Sequence, residues 1–127
     1  MKINHIGIFA CDIDAACEFF IKYFNAQKGE LYHNTRTGFR SYFLSFDDGT
    51  RLEIMNKPDT APQQRNASAA GLAHVSFSVG SKQAVDALAA QLNADGFEVT
   101  DGPRTTGDGY YECAVRGIEG MMIEVTT

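Results

Sequence analysis

The chain has 127 residues, of which 44% are hydrophobic and 21% are charged, and its formal net charge at pH 7 is -5. These values are typical of a folded globular domain and exclude a disordered, collagen-like or coiled-coil chain. The 11 Lys and Arg residues form no run or stripe, so we expect no nucleic-acid partner. No apolar run is long enough to span a membrane and the first residues do not read as a signal peptide, so we expect a cytoplasmic protein with no membrane partner.

The chain begins with a strand pattern followed by a helix pattern. Alternating, β-branched residues over 3–9 predict a strand. Asp12 or Asp14 is expected to cap a helix that runs to about Asn25, and Gly29 is expected to mark its end region.

Three strands are predicted after this helix, which completes a first βαβββ module. The Asp48-Gly49 pair predicts a tight hairpin turn between the last two strands. The three strands are expected near residues 27–33, 39–46 and 50–56.

The second half repeats the same order of elements. A strand is predicted over 73–79, Ser81 is expected to cap a helix over about 82–94, and Asp95-Gly96 is expected to end it. Three further strands are expected near residues 97–101, 109–116 and 121–126.

A polar stretch over 57–71 is the linker-like segment of the chain. It separates a module over about 1–56 from a module over about 72–127. Neither module alone would bury a large core, so we predict one domain, over 1–127, made of two fused modules.

An internal repeat places the same chemistry in both modules. His5 and His74 open the first strand of each module and lie 69 positions apart. Glu53 and Glu124 lie 71 positions apart, each inside the frame G-x-x-[LI]-E-[IV]. Residue order, type and spacing therefore agree between the halves, which indicates a duplicated structural unit.

Strand alternation puts these four polar side chains on the less apolar face of each sheet. Each Glu lies opposite in parity to its Leu or Ile neighbours. His5 lies opposite to Ile6 and Ile8, on a mixed face with Ile3, Gly7 and Phe9, and His74 lies opposite to Val75, Phe77 and Val79. Two imidazoles and two carboxylates suit a divalent metal, from Zn, Ni, Co or Fe to Mn or Mg. Such an ion would leave positions for the two oxygens of an α-hydroxycarbonyl group and would stabilise an enediolate.

The chain resembles the vicinal-oxygen-chelate superfamily along essentially its whole length. That superfamily includes glyoxalase I, fosfomycin-resistance and bleomycin-resistance proteins, methylmalonyl-CoA epimerase and extradiol dioxygenases. The segments that carry the resemblance are NHIGIFACDID, SYFLSFDDGTRLEIM, GLAHVSFSV and GDGYYECAVRGIEGMMIEV.

The resemblance implies an α+β fold in which paired βαβββ modules form a curved mixed sheet around a metal cavity. It implies that one divalent ion, Ni, Zn, Co or Mn, is held by His5, Glu53, His74 and Glu124, a set most like that of glyoxalase I. Glu124 would move the proton, with Glu53 as its pseudo-symmetric partner. The implied activity is a lyase or isomerase that acts on a small α-hydroxycarbonyl or thiohemiacetal substrate through a metal-bound enediolate. Members of the superfamily often form homodimers, and some build each site from two chains.

Four further residues are candidates for substrate contacts. Glyoxalase I proteins commonly have an Arg four residues after the first ligand His, and this chain has Phe9 there. Arg51 shares the strand parity of Glu53, so it would either reach an anionic substrate or pair with Glu53. Met55 would line an apolar pocket or fill the core. Arg104 falls in a Gly-rich stretch predicted to be a loop that either covers the site or is a plain surface connection.

Two classes of function follow from these residues. The first is the metal-dependent enzyme just described, with an epimerase or thiol transferase of the same superfamily as its variants. The second is a binding or resistance protein that sequesters a drug or metabolite without turnover. The four-residue ligand set favours the enzyme, because sequestration needs no metal.

Overall fold

The computed structural model describes residues 1–63 and 70–127, which fall into two compact units, 1–64 and 65–127. The predicted linker 57–71 lies partly outside the described residues, at 64–69. The prediction of one fused domain stays a prediction, and each unit is described by itself below.

The first unit is a mixed sheet of five strands with one helix. The sheet order is β1-β5-β4-β2, and β3 also pairs with β4. β1 and β5 are parallel, while the other pairs are antiparallel. The elements are β1 (Ile6–Phe9), α1 (Ile13–Phe24), β2 (Gln27–Lys28), β3 (Tyr32–Asn34), β4 (Phe39–Ser45) and β5 (Arg51–Asn56).

The second unit is a mixed sheet of four strands with one helix, in the order β6-β9-β8-β7. Its outer pair, β6 and β9, is parallel like β1 and β5. A short 3-10 turn at Ile118–Gly120 precedes the last strand. The elements are β6 (Val75–Ser78), α2 (Lys82–Ala94), β7 (Glu98–Thr105), β8 (Tyr111–Arg116) and β9 (Met122–Thr126). The predicted α+β class, with a βαβββ order in each half, is confirmed.

All four helix ends agree with the sequence, α2 ending at Asp95 as expected, and one expected end marker does not. The Asp12 carboxylate accepts from the Ala15 N–H at 2.9 Å, and Ser81 Oγ accepts from the Ala84 N–H at 3.2 Å. Asn25, with φ of 54°, ends α1 in the left-handed conformation that Asn tolerates. The expectation that Gly29 marks this end was wrong, because Gly29 lies beyond β2 and its N–H donates to the carbonyl of Phe43.

Strand bounds account for the remaining differences. The predicted strand 27–33 is two short strands, because the chain pairs with β4 twice. The predicted strands 3–9 and 73–79 begin later, so both His5 and His74 lie just before a strand. The predicted strand 97–101 continues to Thr105, so Arg104 lies in β7 and the expectation of a loop there was wrong.

Each sheet buries its apolar face under its own helix, α1 against β4 and β5, and α2 against β7, β8 and β9. Burial of the two core thiols, Cys17 and Cys113, raises the pKa of each to about 11. The largest fully buried side chains are Phe20, Ile13, Leu44, Leu52 and Ile54 in the first unit, and Leu92, Ile123, Val85, Val115 and Val125 in the second. The opposite face of each sheet is mixed and carries Glu53 beside Phe43 in the first unit and Glu124 beside Met122 in the second. No helix in the described residues is long and apolar enough to cross a membrane.

Gly102 is required by the irregular part of β7. Its φ is +78°, and a Cβ placed there would lie 2.6 Å from the carbonyl oxygen of Glu112. Gly102→Ala is therefore expected to lower the free energy of unfolding by about 2 kcal/mol, since both backbone strain and a clash with main-chain atoms are added. Urea denaturation followed by circular dichroism measures the change. Gly107→Ala, where a Cβ meets nothing within 4 Å, is the control and should change stability little.

Candidate metal centre

The two units repeat one local arrangement around a His/Glu pair. In the first unit the parallel pair β1/β5 places Gly7 opposite Glu53, and in the second β6/β9 places Ser76 opposite Glu124. In each unit the His lies two residues before that partner. The resulting distance from His Nε2 to Glu Oε2 is 3.6 Å in both units. The predicted pairs His5/Glu53 and His74/Glu124 are therefore brought together within each unit.

Hydrogen bonding around His5 determines which ring nitrogen carries the proton. The Arg51 guanidinium can only donate, so the Asn4 atom that it contacts is the amide oxygen Oδ1. The same oxygen lies 2.8 Å from His5 Nδ1, which must then also donate. Neutral His5 therefore keeps its proton on Nδ1 and presents the lone pair of Nε2 to Glu53.

This arrangement fits a cation. In the neutral form, which is the form that binds a metal, Nε2 of His5 and the Glu53 oxygen 3.6 Å away are two acceptors that a cation can join. Two atoms that share one ion at about 2.1 Å each lie roughly 3–4 Å apart. A hydrogen bond from the other ring nitrogen is also the usual support of a metal-binding His.

The second pair has a different supporting group. Ser76 Oγ donates to Glu124 Oε1 at 2.7 Å, which leaves Oε2 facing His74. The first unit has Gly7 at the corresponding position, so Glu53 receives no hydroxyl there. Glu112 lies on β8, next to the strand of Glu124. Partial burial raises the pKa of Glu112, and the negative charge of Glu124 raises it further.

The four candidate substrate residues lie in strands. Phe9 ends β1, is 52% exposed and has the Lys57 ammonium 5.6 Å from its ring centroid. Met55 extends over Gly7, where an added Cβ would lie 2.8 Å from the Met55 methyl. Arg51 was expected either to pair with Glu53 or to reach an anionic substrate. Among the described residues it forms no ion pair with Glu53 and donates to Asn4 instead.

Arg104 is held by its own strand. Its Nε donates to Asp101 Oδ2 at 2.9 Å, and this bond keeps the pKa of Asp101 below its usual range. The Arg104 guanidinium is thus already paired with a carboxylate, so Arg104 is a weaker candidate for binding an anionic substrate than Arg51.

Each unit brings together two of the four predicted ligands rather than a complete set. Within residues 1–63 and 70–127, no group of three or more His, Cys, Asp or Glu side chains is gathered in metal-binding geometry. The four-ligand site therefore stays a prediction.

Sequence reasoning missed Asn4 and the role of Ser76. In a continuous strand, neighbours such as Asn4 and His5 would point to opposite faces. Both residues lie before β1, so their side chains can meet. Ser76 was placed on the His74 face by parity, but its bond to Glu124 depends on the β6/β9 register, which the sequence does not give.

Comparison with protein families relates the whole chain to known proteins. A family model described as the glyoxalase/bleomycin resistance protein/dioxygenase superfamily matches residues 2–125. An uncharacterised protein of Bacillus subtilis (strain 168), YwkD, is 28% identical over 97 residues, which are 76% of this chain and 73% of that protein.

Solved structures share the fold over nearly the full chain. A possible glyoxalase from Bacillus cereus is 28% identical, with a TM-score of 0.74 over 100% of this chain and 99% of that chain. The fosfomycin resistance protein FosX from Listeria monocytogenes, complexed with Mn(II) and sulfate, has a TM-score of 0.77 over 99% of this chain and 91% of that chain. Its sequence identity is 16%, so this likeness is one of fold alone.

Proposed function

Because the chain belongs to the glyoxalase/bleomycin resistance protein/dioxygenase superfamily, we propose that it is a metal-dependent lyase or isomerase of the glyoxalase type. Its substrate is a small α-hydroxycarbonyl compound or a thiohemiacetal. His5 and Glu53 from the first unit and His74 and Glu124 from the second would together hold one divalent ion, Ni, Zn, Co or Mn.

The repeated His/Glu pair is the observation that carries the proposal. Both pairs have the same strand register and the same 3.6 Å separation, although the residues around them differ. An imidazole and a carboxylate are both ligands of divalent metals, and the pair keeps its geometry although the residue opposite the Glu is Gly7 in one unit and Ser76 in the other. The lone pair that His5 presents to a carboxylate supports a cation in the first unit in particular.

The proposed reaction is a proton transfer between neighbouring carbons. A bound divalent ion would supply Lewis acidity to the two adjacent oxygens of the substrate. Glu124 removes the proton from the first carbon and returns it to the second, so no oxidant or reductant is needed. Ser76 holds Oε1 of Glu124 in place, so Oε2, the oxygen that faces His74, is the one available to the ion and to the proton. Asn4 keeps His5 in the tautomer that binds metal.

Metal content of the purified protein tests the ligand set. Wild type, Glu53→Gln and His74→Ala are purified without chelator and analysed for elements. About one divalent ion per chain is expected in the wild type, with less in both variants. His33→Ala is the control, because His33 lies in β3, is exposed and belongs to neither pair. Absence of metal after reloading with nickel, zinc, cobalt and manganese would contradict the enzyme and favour the sequestering protein instead.

The metal-loaded protein is then assayed for activity. Methylglyoxal mixed with glutathione, or with another small thiol, provides the thiohemiacetal, and ultraviolet absorbance follows the thioester. Thioester formed by the wild type but not by His74→Ala would support the lyase. A loaded wild type that converts none of these mixtures would contradict the thiohemiacetal as substrate.

Ser76→Ala removes the hydroxyl that holds Glu124 without removing a ligand. We expect metal affinity to fall by about 10-fold to 100-fold, as is usual when a supporting hydrogen bond of a metal ligand is lost. Competition with a chromogenic chelator measures the affinity. Ser78→Ala, on the same strand and with the same parity, is the matched control. Equal affinity of Ser76→Ala and wild type would show that Glu124 does not need this bond.

We also propose a cytoplasmic homodimer, in which the four ligands come from one chain or from two. Size-exclusion chromatography with light scattering measures the assembly. Coexpression of His5→Ala and His74→Ala chains distinguishes the arrangements. If each ion takes one pair from each chain, the mixed dimer keeps one intact set and recovers metal. If each ion uses one chain, the mixed dimer recovers none.

A further inference from the structure

Arg51 occupies a defined position beside the first His/Glu pair. Its guanidinium donates to Asn4 Oδ1 and stacks over the Phe43 ring, 4.9 Å from the centroid. His5 uses the same two partners, since its Nδ1 donates to Asn4 and its ring meets Phe43 edge-on at 5.2 Å. Arg51 is therefore oriented by the groups that orient the candidate ligand His5.

Both partners of Arg51 are neutral, so they position its charge without compensating it. Other arginines in the strands each lie within ion-pair distance of a carboxylate, Arg40 with Asp14, Arg104 with Asp101 and Arg116 with Glu98. Within the described residues, no carboxylate forms such a pair with Arg51, although Glu53 is two positions along the same strand. An oriented guanidinium with uncompensated charge is suited to bind an anion from outside the chain.

The second unit has no counterpart of this arginine. The position two residues before Glu124 is Met122, and the residue paired with Glu124 on β8 is Ala114, where the first unit has Phe43. The fold therefore repeats the His/Glu pair but not the guanidinium and its aromatic support. A feature present on one side of a duplicated arrangement indicates an asymmetric ligand.

From these observations we propose that Arg51 binds an anionic group of the substrate, a carboxylate, phosphonate or phosphate, and so determines specificity. This inference rests on the proposed function, which supplies the two substrate oxygens that the ion would bind. Arg51 and Glu53 are two positions apart in one strand, which puts their Cα atoms about 7 Å apart. The anionic group therefore belongs to the same small molecule, a few bonds from those oxygens. The substrate class is thus a small α-hydroxycarbonyl or thiohemiacetal compound that carries an acid group.

A first experiment needs no metal. Inorganic phosphate is titrated into metal-free protein while the side-chain Nε–Hε resonances of arginine are followed by NMR, with Arg51 assigned from its loss in Arg51→Lys. We expect a saturable shift of the Arg51 resonance in the millimolar range. Arg36, an exposed arginine of the β3-β4 turn, is the internal control. A shift of Arg51 that is linear and equal to that of Arg36 would overturn the anion site.

A second experiment measures discrimination on metal-loaded protein. The probes are butyrohydroxamate and succinate monohydroxamate, which chelate through the same two oxygens but end in a methyl and a carboxylate. Calorimetry is expected to give about tenfold tighter binding of the carboxylate probe to the wild type, and no preference in Arg51→Met. Arg51→Lys should keep part of the preference, and Arg36→Met should keep all of it.

The outcomes separate this inference from the proposed function. If Arg51→Met weakens both probes equally, the arginine is only structural and the specificity proposal fails, while the metal site stands. If the protein takes up no metal, the proposed function fails and the phosphate titration still decides whether Arg51 binds anions.

Discussion

Glu124→Gln is expected to lower kcat by about 10²-fold to 10⁴-fold when the metal is saturating, because a positioned general base contributes that much to a proton transfer. Glutamine has the size of glutamate and can still accept the hydrogen bond of Ser76, which is 2.7 Å long in the native protein. It cannot take up a proton. The substitution therefore removes the proposed chemical step and changes the local packing little.

The two glutamates should respond differently because their neighbours differ. Glu53→Gln is expected to weaken metal binding, with much of the activity restored by excess metal, since Glu53 is proposed as a ligand and not as the main base. The measurement is kcat against metal concentration for both variants. Glu98→Gln is the control, as Glu98 is exposed and paired with Arg116. If Glu53→Gln lost turnover at saturating metal and Glu124→Gln kept it, the base would be Glu53.

The helices could be predicted from the sequence almost residue by residue, because their signals are local. Ser81 followed by apolar residues at helical spacing predicted α2 at 82–94, and the helix runs from Lys82 to Ala94. Such caps act within one turn and need no tertiary partner. The repeat of His and Glu could also be identified from the sequence, since duplication preserves residue order and spacing.

The strand ends could not be predicted in the same way, because a strand ends where its partner ends. β1 begins at Ile6, where pairing with Leu52 begins, and β6 begins at Val75, where pairing with Ile123 begins. His5 is left outside its strand as a result, which frees its side chain to meet Asn4. The hydrogen bonds that support the His/Glu pairs therefore depend on strand register, while the pairs themselves can be identified in the sequence.

Arg51 illustrates the same limit at the level of charge. Strand parity placed Arg51 beside Glu53 and left two interpretations, an ion pair with Glu53 or a site for an anionic substrate. The choice depends on Asn4 and Phe43, which come from two other segments of the first unit and hold the guanidinium away from the carboxylate. No spacing rule within β5 contains that information.

Phe20→Ala is expected to lower the free energy of unfolding by about 3–5 kcal/mol, because it removes a large side chain that the surroundings cannot replace. Phe20 has 0% exposed surface and is among the largest fully buried side chains of the first unit. It lies on α1, which packs against β4 and β5, so the cavity would open beneath the strand that carries Glu53. Urea denaturation followed by far-ultraviolet circular dichroism measures the loss.

Two variants distinguish lost packing from a general intolerance of aromatic truncation. Tyr32→Ala removes a ring of the same unit that is 56% exposed, and it should change stability by less than about 1 kcal/mol. Phe20→Leu keeps most of the buried volume and should lose less than Phe20→Ala. A loss below about 1 kcal/mol in Phe20→Ala would mean that α1 does not form the core over β4 and β5, since a buried Phe in a close-packed interior cannot be removed at that cost.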